Sequence, residues 1–477
     1  MAGPASQYDV LIIGAGLSGL AAGIRLAHYE KRVAILERHT TIGGLNSFYQ
    51  LRGRRHDVGL HAVTNFRPPT LKPLGPLAKL LRQLRISWDE FDLAPQCGSR
   101  VVMPGASLRF TNDFDRLQSD VAERFPDQID GFKQLDAAAM SADTFDESRE
   151  FQPSRERVRS LITNPLLEDL LFAPVLFYGS PTPHDCDWRQ FAILWRALYR
   201  EGFGRPRDGV KPILKTLTKR YKALGGDLWL RHGVQAIRSN GGKTVGVTLD
   251  DGTEIDAPHI LSSAGLPQTA AMAGDAADLP TDPGPLSFVE SISVLDRPAS
   301  ELGYDDTVTF YSTRDPRAGD RFRYANPEDP CDLTSGIACS PDNYQYFEAS
   351  GGPHDEGCLR LTVLANPEYW ANLEPDVYTR EKARWHAAAL DAGRDFDVLP
   401  DVTGAQASHV LDTDVFTPKT ITRFTGHPNG AVYGSATKIR DGRTGLDGLH
   451  VIGTDQGYLG IVGAMLSGVS IANRLLT

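Results

Sequence analysis

Tyr8-Asp9-Val10-Leu11-Ile12-Ile13-Gly14-Ala15-Gly16-Leu17-Ser18-Gly19 is the stretch that decides the fold. Its apolar run predicts a buried parallel strand, and the apolar residues beyond it recur at helical spacing. The glycines between strand and helix have the spacing G-x-G-x-x-G. We interpret Gly14 as a tight turn, Gly16 as the point where the backbone approaches a pyrophosphate, and Gly19 as the contact between helix and strand. The motif therefore supplies five candidate ligand contacts: Gly14, Gly16, Leu17, Ser18 and Gly19.

A second apolar run, residues 32–36, predicts the neighbouring strand and ends at Glu37. An acid at this distance after the glycines typically binds a ribose hydroxyl. Arg38 could reach a phosphate or cover an adenine. The paired glycines in Gly43-Gly44-Leu45-Asn46 indicate another close approach of backbone to ligand, so these four residues are also candidate contacts. An ordinary glycine turn is the alternative, but strand, glycines, helix, strand and acid in this order favour a dinucleotide site.

The composition is typical of a globular protein, with 41% hydrophobic and 23% charged residues among 477. A formal net charge of -10 disfavours nucleic-acid binding. The five cysteines form no C-x-x-C pair and no zinc spacing, so we expect no metal and a reducing, cytoplasmic setting. Residues 1–7 are too few and too polar for a signal peptide, and no apolar stretch is long enough to span a membrane.

The order of the patterns predicts two interleaved domains. Residues 1–67, 205–285 and 425–477 are assigned to a cofactor-binding domain, and residues 68–204 and 286–424 to a substrate-binding domain. The return to the first domain carries a hairpin signal at Asn240-Gly241-Gly242. Val234 and Ala264, within or just after predicted strands of this part, are further candidate cofactor contacts.

The end of the chain repeats the strand, glycine turn and helix order. A strand at 449–452 leads into a glycine-rich turn, and an apolar helix follows from Ile461. The unpaired N–H groups of that helix start could face a ligand. Five residues here are candidate contacts: Gly453, Asp455, Gly460, Ile461 and Val462.

Residues 161–200 are unusually apolar and aromatic and carry Arg189, Arg196 and Arg200. Such a segment can lie in a membrane interface, with its cations at anionic head groups. The alternative is a buried helix that lines an apolar cavity. We therefore predict either a membrane-docking part within the substrate-binding domain or a cavity wall.

The chain resembles the flavin-dependent oxidoreductases of the amine oxidase and phytoene desaturase type. The matching residues are Gly14–Gly19, Glu37-Arg38, Gly43-Gly44, Asp57-Val58-Gly59 and Gly453–Gly468. Thr417–Thr420, Arg423, Gly430–Gly434 and Gly59-Leu60-His61 are similar to the carotenoid desaturase, carotenoid isomerase and retinol saturase branch. The resemblance implies one FAD in a doubly wound, Rossmann-like α/β domain of the glutathione reductase type, with an interleaved α+β substrate domain that contains an antiparallel sheet.

The resemblance also implies a function: oxidation, reduction or isomerisation at carbon–carbon bonds of an apolar, carotenoid-like isoprenoid. A flavin amine oxidase is one alternative, and a non-catalytic flavin or lipid carrier is another. No second G-x-G-x-x-G is available for a nicotinamide, so we expect oxygen, a quinone or another diffusible electron acceptor. A membrane surface is an expected partner, because such substrates reside in lipid.

The resemblance also assigns four residues to the surroundings of the flavin. Gly59, Leu60 and His61 are expected near the flavin, with His61 either as a proton donor or polar contact to substrate or as a structural histidine between the domains. The Asp455 carboxylate is expected to accept a hydrogen bond from a ribityl hydroxyl, to cap its turn, or to do both.

Overall fold

The computed structural model describes residues 3–144, 146, 150–352 and 354–477. Met1 and Ala2, at the start of the first predicted domain segment, lie outside the described residues. Within these ranges the chain forms parallel, antiparallel and mixed sheets with helices packed on their faces.

The strands are β1 (Val10–Ile13), β2 (Val33–Glu37), β3 (Phe48–Leu51), β4 (Arg54–Asp57), β5 (Val63–Thr64), β6 (Leu93–Pro95), β7 (Ser99–Met103), β8 (Ala106–Phe110), β9 (Phe203–Pro206), β10 (Asp227–Leu230), β11 (Val234–Asn240), β12 (Lys243–Leu249), β13 (Glu254–Asp256), β14 (His259–Ser262), β15 (Phe288–Leu295), β16 (Val308–Ser312), β17 (Ser335–Cys339), β18 (Gly357–Leu364), β19 (Val410–Phe416) and β20 (Leu449–Val451).

The helices are α1 (Leu17–Ala27), α2 (Pro76–Leu84), α3 (Phe114–Arg124), α4 (Ile129–Ser141), α5 (Ser154–Arg159), α6 (Pro165–Gly179), α7 (Trp188–Trp195), α8 (Lys211–Ala223), α9 (Leu266–Ala273), α10 (Pro367–Ala371), α11 (Pro375–Asp395), α12 (Pro418–Thr425) and α13 (Gly460–Leu475).

A five-stranded parallel sheet in the order β10-β2-β1-β14-β20 holds both ends of the chain together. Both faces of this sheet are buried, as its continuous apolar strands require. Helices α1, α8 and α13 pack on one face. The other face packs against α9 and the three-stranded antiparallel sheet β11-β12-β13. The predicted α/β cofactor fold is confirmed.

A seven-stranded sheet in the order β19-β15-β18-β17-β16-β7-β8 forms the second centre. Its neighbours run antiparallel except β7 and β16, which are parallel. One core lies between this sheet and the helices α3, α4, α6 and α7, and a second core includes residues of α11. The predicted antiparallel substrate-domain sheet is therefore present with one parallel pair.

The predicted membrane-docking part within residues 161–200 is wrong, because these residues form the inside of a core. In α6, Leu166–Phe177 is buried throughout. The Arg189 side chain is 3% exposed and pairs with Asp187. Arg196 donates to backbone carbonyls in the last turn of α4, and Arg200 pairs with Asp136. Since these arginines serve internal partners, the buried-helix alternative holds. Among the described residues, no helix is long and apolar enough to cross a membrane.

Candidate active site

A groove of about 450 Å³ opens at the carboxyl ends of β1, β2 and β14. Ligands bind at such strand ends in open α/β sheets. Thirteen of the predicted contacts line this groove: Gly14, Gly16, Leu17, Ser18, Glu37, Arg38, Gly43, Gly44, Leu45, Asn46, Val234, Ala264 and Gly453. They come from segments far apart in sequence, and the parallel sheet brings them together.

The three motif glycines occupy positions that suit their predicted roles. Gly14 has a φ of +95°, which favours glycine. A side chain at Gly19 would collide with the Gly14 carbonyl, so this glycine allows α1 to approach β1. A Cβ at Gly16 would meet no protein atom within 4 Å, although Gly16 lines the groove. The space beside Gly16 is therefore open for a ligand.

Glu37 closes one end of the groove and is held by backbone donors. Its Oε2 accepts from the Ala15 N–H at 2.8 Å, and its Oε1 accepts from the His39 N–H at 2.9 Å. Each carboxylate oxygen retains a second lone pair. The backbone donors thus orient the Glu37 carboxylate, which can still accept hydrogen bonds from ribose hydroxyls.

Asp455 lines neither the groove nor the smaller cavity beside it, and backbone donors hold its carboxylate. The carboxylate is buried, with Oδ2 accepting from the Leu266 N–H at 2.6 Å and Oδ1 from the Ser435 N–H at 2.8 Å. Lys438 Nζ lies 3.6 Å from Oδ1. Asp455 therefore joins the start of α9 to the segment before β20, and its contact with a ribityl hydroxyl stays a prediction.

Three further predicted contacts also line neither the groove nor the cavity described next. They are Gly19, Leu60 and Val462, all buried. Leu60 contributes its carbonyl oxygen, which accepts from Arg205 and Arg360. Several groove residues that the fold supplies were not among the predicted contacts: Gly233, Gln235, Asp250, Ser263, Gln268, Thr425, Gly426, His427 and Thr454.

A smaller cavity of about 190 Å³ continues from the groove. The two share Leu45, Asn46, Thr454 and Ala464. The predicted residues Gly59, His61, Gly460 and Ile461 line the cavity instead of the groove. Most of its wall is apolar: Val58, Ala62, Phe177, Tyr178, Leu194, Phe288, Ile337, Phe416, Ile421, Val432, Tyr433, Leu459 and Ile461.

His61 belongs to a charged cluster that the described residues form on this wall. Its Nε2 lies 2.9 Å from Glu290 Oε1 and 3.0 Å from Thr362 Oγ1. Glu290 Oε2 accepts from Arg360 Nη2 at 2.7 Å. Because Glu290 requires a donor, Nε2 carries a proton, and Nδ1 makes no hydrogen bond with a described residue. Sequence reasoning missed Glu290, Thr362 and Arg360, since they lie on strands of the other domain.

The carboxyl group of Glu290 stays ionised despite its burial. Burial alone would raise its pKa, but Arg360 and the hydrogen bond from His61 outweigh burial and lower the pKa to about 2. Arg360 in turn donates to the carbonyl oxygen of Asp57, whose carboxylate pairs with Arg205. The cluster therefore fixes the His61 ring against the seven-stranded sheet.

The groove and its residues fit FAD. The open space beside Gly16 suits a pyrophosphate, the Glu37 carboxylate suits the adenosine ribose, and the shared residues lead from the groove into the cavity. The helix starts at α1 and α13 each offer N–H groups that have no partner within their helix.

Comparison with known proteins gives the class. The family described as flavin containing amine oxidoreductase matches residues 17–476, so the chain belongs to that family. Prolycopene isomerase, a chloroplastic protein of Arabidopsis thaliana, is 23% identical over 99% of this chain and 83% of its own. All-trans-retinol 13,14-reductase of Danio rerio is 22% identical over 98% and 86%. A solved oxidoreductase from Methanosarcina mazei shares the fold, with a TM-score of 0.65, 18% identity and coverage of 97% and 99%.

The protein is an FAD-dependent oxidoreductase. Its branch is the one that contains carotenoid desaturases, carotenoid isomerases and retinol reductases. The predictions of family, cofactor and enzymatic character are confirmed, and the carrier alternative is set aside.

Proposed function

We propose that this enzyme acts on carbon–carbon bonds of an apolar, carotenoid-like isoprenoid, as a desaturase, saturase or isomerase. The observation that carries the proposal is the apolar cavity that continues from the FAD groove. Aromatic and aliphatic side chains exclude water and pack against a hydrocarbon chain without imposing hydrogen bonds on it. Tyr178 of this wall stacks on Phe203 behind it, with 5.4 Å between the ring centres, and this contact stiffens the wall.

The cavity holds only a segment of such a chain. Its 190 Å³ lies below the roughly 300–1,000 Å³ of sites that enclose a drug-sized ligand. We infer that the reacting bonds sit inside, while the remainder of the substrate extends towards the opening or requires side chains to move.

The bound flavin supplies the transfer of hydride or electrons. The chain's own residues then have two tasks. The wall holds the hydrocarbon in one orientation, and His61 holds a proton on Nε2 through Glu290. In this tautomer Nδ1 of the neutral ring carries a lone pair, so we propose His61 as the acid–base group that accepts a proton on Nδ1 and, once protonated there, returns it to a reacting carbon.

An amine oxidase fits this cavity less well. Glu290 is the only carboxylate that lines it among the described residues, and Arg360 already pairs with it as counter-charge. An ammonium group would enter an apolar site without a free counter-charge, and its desolvation would cost roughly several kcal/mol.

For the reoxidation of the flavin, we propose oxygen, a quinone or another diffusible electron acceptor. These acceptors can be ranked by the rate at which each reoxidises the flavin after anaerobic photoreduction.

Filling the cavity is expected to abolish turnover while leaving FAD bound. In Ala62→Phe, the added ring occupies space within the 190 Å³ that the substrate needs. We expect at least about a tenfold loss of kcat/KM, since misplacing the reacting bond is costly. Products from a carotenoid-producing host and from purified enzyme are measured by chromatography.

The matched control is Ala383→Phe, on an exposed position of α11. It adds the same ring away from the cavity and should leave product formation unchanged. If Ala62→Phe converts a polyene as fast as the unmodified enzyme, the cavity is not the substrate site.

Helix α12 is our candidate for the approach of a lipid-held substrate. Ile421 of this helix lines the cavity, and Phe424 is 58% exposed beside the groove. Arg423 lies next to Phe424 with its guanidinium 5.5 Å from the ring centre. We propose that this end of the enzyme meets a membrane surface, with the aromatic ring in the lipid and the cation at head groups.

Phe424→Asp is expected to reduce sedimentation with anionic liposomes, because it places a negative charge at the proposed contact. Phe347→Asp is the matched control, since Phe347 is 54% exposed and lies elsewhere on the surface. If both variants sediment equally, α12 is not the membrane contact. The same conclusion follows if the unmodified enzyme does not sediment with the liposomes at low salt.

A further inference from the structure

The apolar cavity has two sides that differ in origin. The residues that it shares with the FAD groove follow strands of the parallel sheet or lie in α13: Leu45, Asn46, Thr454 and Ala464. Four buried residues of its wall come instead from α6, α7 and the seven-stranded sheet: Phe177, Leu194, Phe288 and Ile337. All four belong to the core between that sheet and its helices. The groove therefore adjoins the cavity on one side, and a packed core limits it on the other.

Phe177 stands where this core meets the cavity. It lies near the C-terminal end of α6, and it is 1% exposed. The hydroxyl group of Tyr433, another residue of the wall, donates a hydrogen bond to the Phe177 carbonyl oxygen. The Tyr433 ring in turn packs edge-on against Phe288, with 5.9 Å between the ring centres. These contacts hold the end of α6, and with it Phe177, in one place on the wall.

A second layer of aromatic rings lies behind Phe177. The centre of the Phe177 ring is 5.2 Å from that of Tyr324 and 5.9 Å from that of Phe322. Both of these residues are buried, and neither lines the cavity. Removal of the Phe177 ring would therefore extend the cavity as far as Phe322 and Tyr324.

Hydrogen bonds of the main chain anchor this second layer. The N–H group of Phe322 donates to Asp169 Oδ2 at 2.9 Å. The N–H group of Tyr324 donates to His184 Nδ1 at 3.2 Å, and its carbonyl oxygen accepts from the His184 N–H group at 2.8 Å. A core relaxes only partly around a deleted side chain. Because its backbone is held, the second layer would stay in place and leave the extra space open.

We propose that Phe177 is a stop that sets how far a hydrocarbon chain enters the cavity, and thereby which of its carbon–carbon bonds is held beside the flavin. The inference rests on the proposed function, since it takes the cavity as the site of the isoprenoid. It assigns the choice of the reacting bond to one side chain. Apolar spaces of about 150 Å³ that are opened by truncation stay dry and bind small apolar molecules, so a chain could occupy the space that Phe177 fills.

The test measures the affinity of the FAD-loaded enzyme for geraniol, farnesol and geranylgeraniol, each one isoprene unit longer than the last. The hydroxyl group favours water, so the hydrocarbon end enters the cavity and any length beyond the stop remains outside. Affinity should rise with each unit until the chain reaches the stop, because only buried methylene groups contribute. In Phe177→Ala the longest alcohol should bind at least about tenfold more tightly, since more of it is buried. Perturbation of the flavin absorbance reports binding.

Phe172→Ala is the matched control. Phe172 lies on the same helix, is fully buried and packs against Phe191, with 5.1 Å between the ring centres. It lines neither the FAD groove nor the apolar cavity. The control therefore removes the same ring from the same core and should leave the three affinities unchanged. Equal changes of affinity in Phe172→Ala and Phe177→Ala would overturn the proposal, because a general loosening of the core would then explain both.

The outcomes for the stop and for the proposed function can be told apart. If Phe177→Ala does not fold, the smaller truncation Phe177→Leu should tighten binding of the longest alcohol in the same direction. Tighter binding in an enzyme that converts no polyene would support the stop and overturn the proposed function. Unchanged affinities in the folded Phe177 variants, with the alcohols bound, would overturn the stop alone. Absence of binding of all three alcohols to the unmodified enzyme would overturn both.

Discussion

Gly16→Val should yield a folded protein that purifies without FAD. A Cβ at Gly16 would meet no protein atom within 4 Å, so the change does not disturb packing. The φ of -70° at Gly16 is also compatible with other residues. The valine side chain would instead occupy the space beside the motif, where the pyrophosphate approaches the backbone. The measurement is the flavin absorbance per mole of purified protein, with release of FAD by acid.

Gly3→Val is the matched control. Gly3 also has open space around its Cβ position, but it lies outside the groove. We expect this variant to retain a full complement of FAD. A Gly16→Val protein that is yellow and binds as much FAD as the unmodified protein would show that the pyrophosphate does not lie beside this glycine.

Glu290→Ala should destabilise the enzyme by about 3–5 kcal/mol, because it leaves Arg360 buried without its counter-charge. The Arg360 side chain is 3% exposed. Glu356→Ala is the matched control, since it breaks the pair of Glu356 with Arg54 at the surface. That change should cost at most about 1 kcal/mol. The free energy of unfolding of both variants is measured with guanidinium chloride. Equal losses of this free energy in the two variants would contradict the role of the buried cluster.

The same carboxylate predicts a pH dependence. The pKa of Glu290 is lowered in the folded state from its ordinary 4.5 to about 2. The stability that it contributes is therefore complete above about pH 4.5 and is lost as the pH falls through about 2. The difference in free energy of unfolding between the unmodified enzyme and Glu290→Gln should shrink across this window. If this difference in free energy of unfolding stays constant from about pH 5 to about pH 2, the lowered pKa of Glu290 is contradicted.

His61→Ala separates the catalytic interpretation of His61 from the structural one. The change leaves Glu290 paired with Arg360, so the loss of stability should be small. If His61 exchanges a proton with the substrate, turnover should fall by roughly 10²–10⁴-fold. Full turnover with an unchanged flavin potential would leave His61 a structural residue.

The cofactor half of the molecule could be predicted from sequence because its signals are local. The strand, the glycines and Glu37 lie within one βαβ unit, and backbone conformation dictates which residues can stand there. Gly14 illustrates this, since its φ of +95° favours glycine.

The catalytic surroundings could not be predicted in the same way. Glu290, Thr362 and Arg360 meet His61 only because β15 and β18 pair in the other domain. The position of Asp455 suggested a ligand contact, but the sequence could not show the two backbone donors that hold its carboxylate, because they lie on distant segments. An apolar segment such as Leu166–Phe177 has the same composition whether it faces lipid or a protein core, and the surrounding helices decide which.

The most direct test of the central claim is anaerobic incubation of the FAD-loaded enzyme with a polyene and, separately, with an aliphatic diamine. Flavin absorbance and chromatography of the recovered substrate are followed together. Our account predicts that the polyene is recovered with an altered number or geometry of double bonds and that the diamine is unchanged. Bleaching of the flavin by the diamine, with the polyene recovered intact, would contradict it.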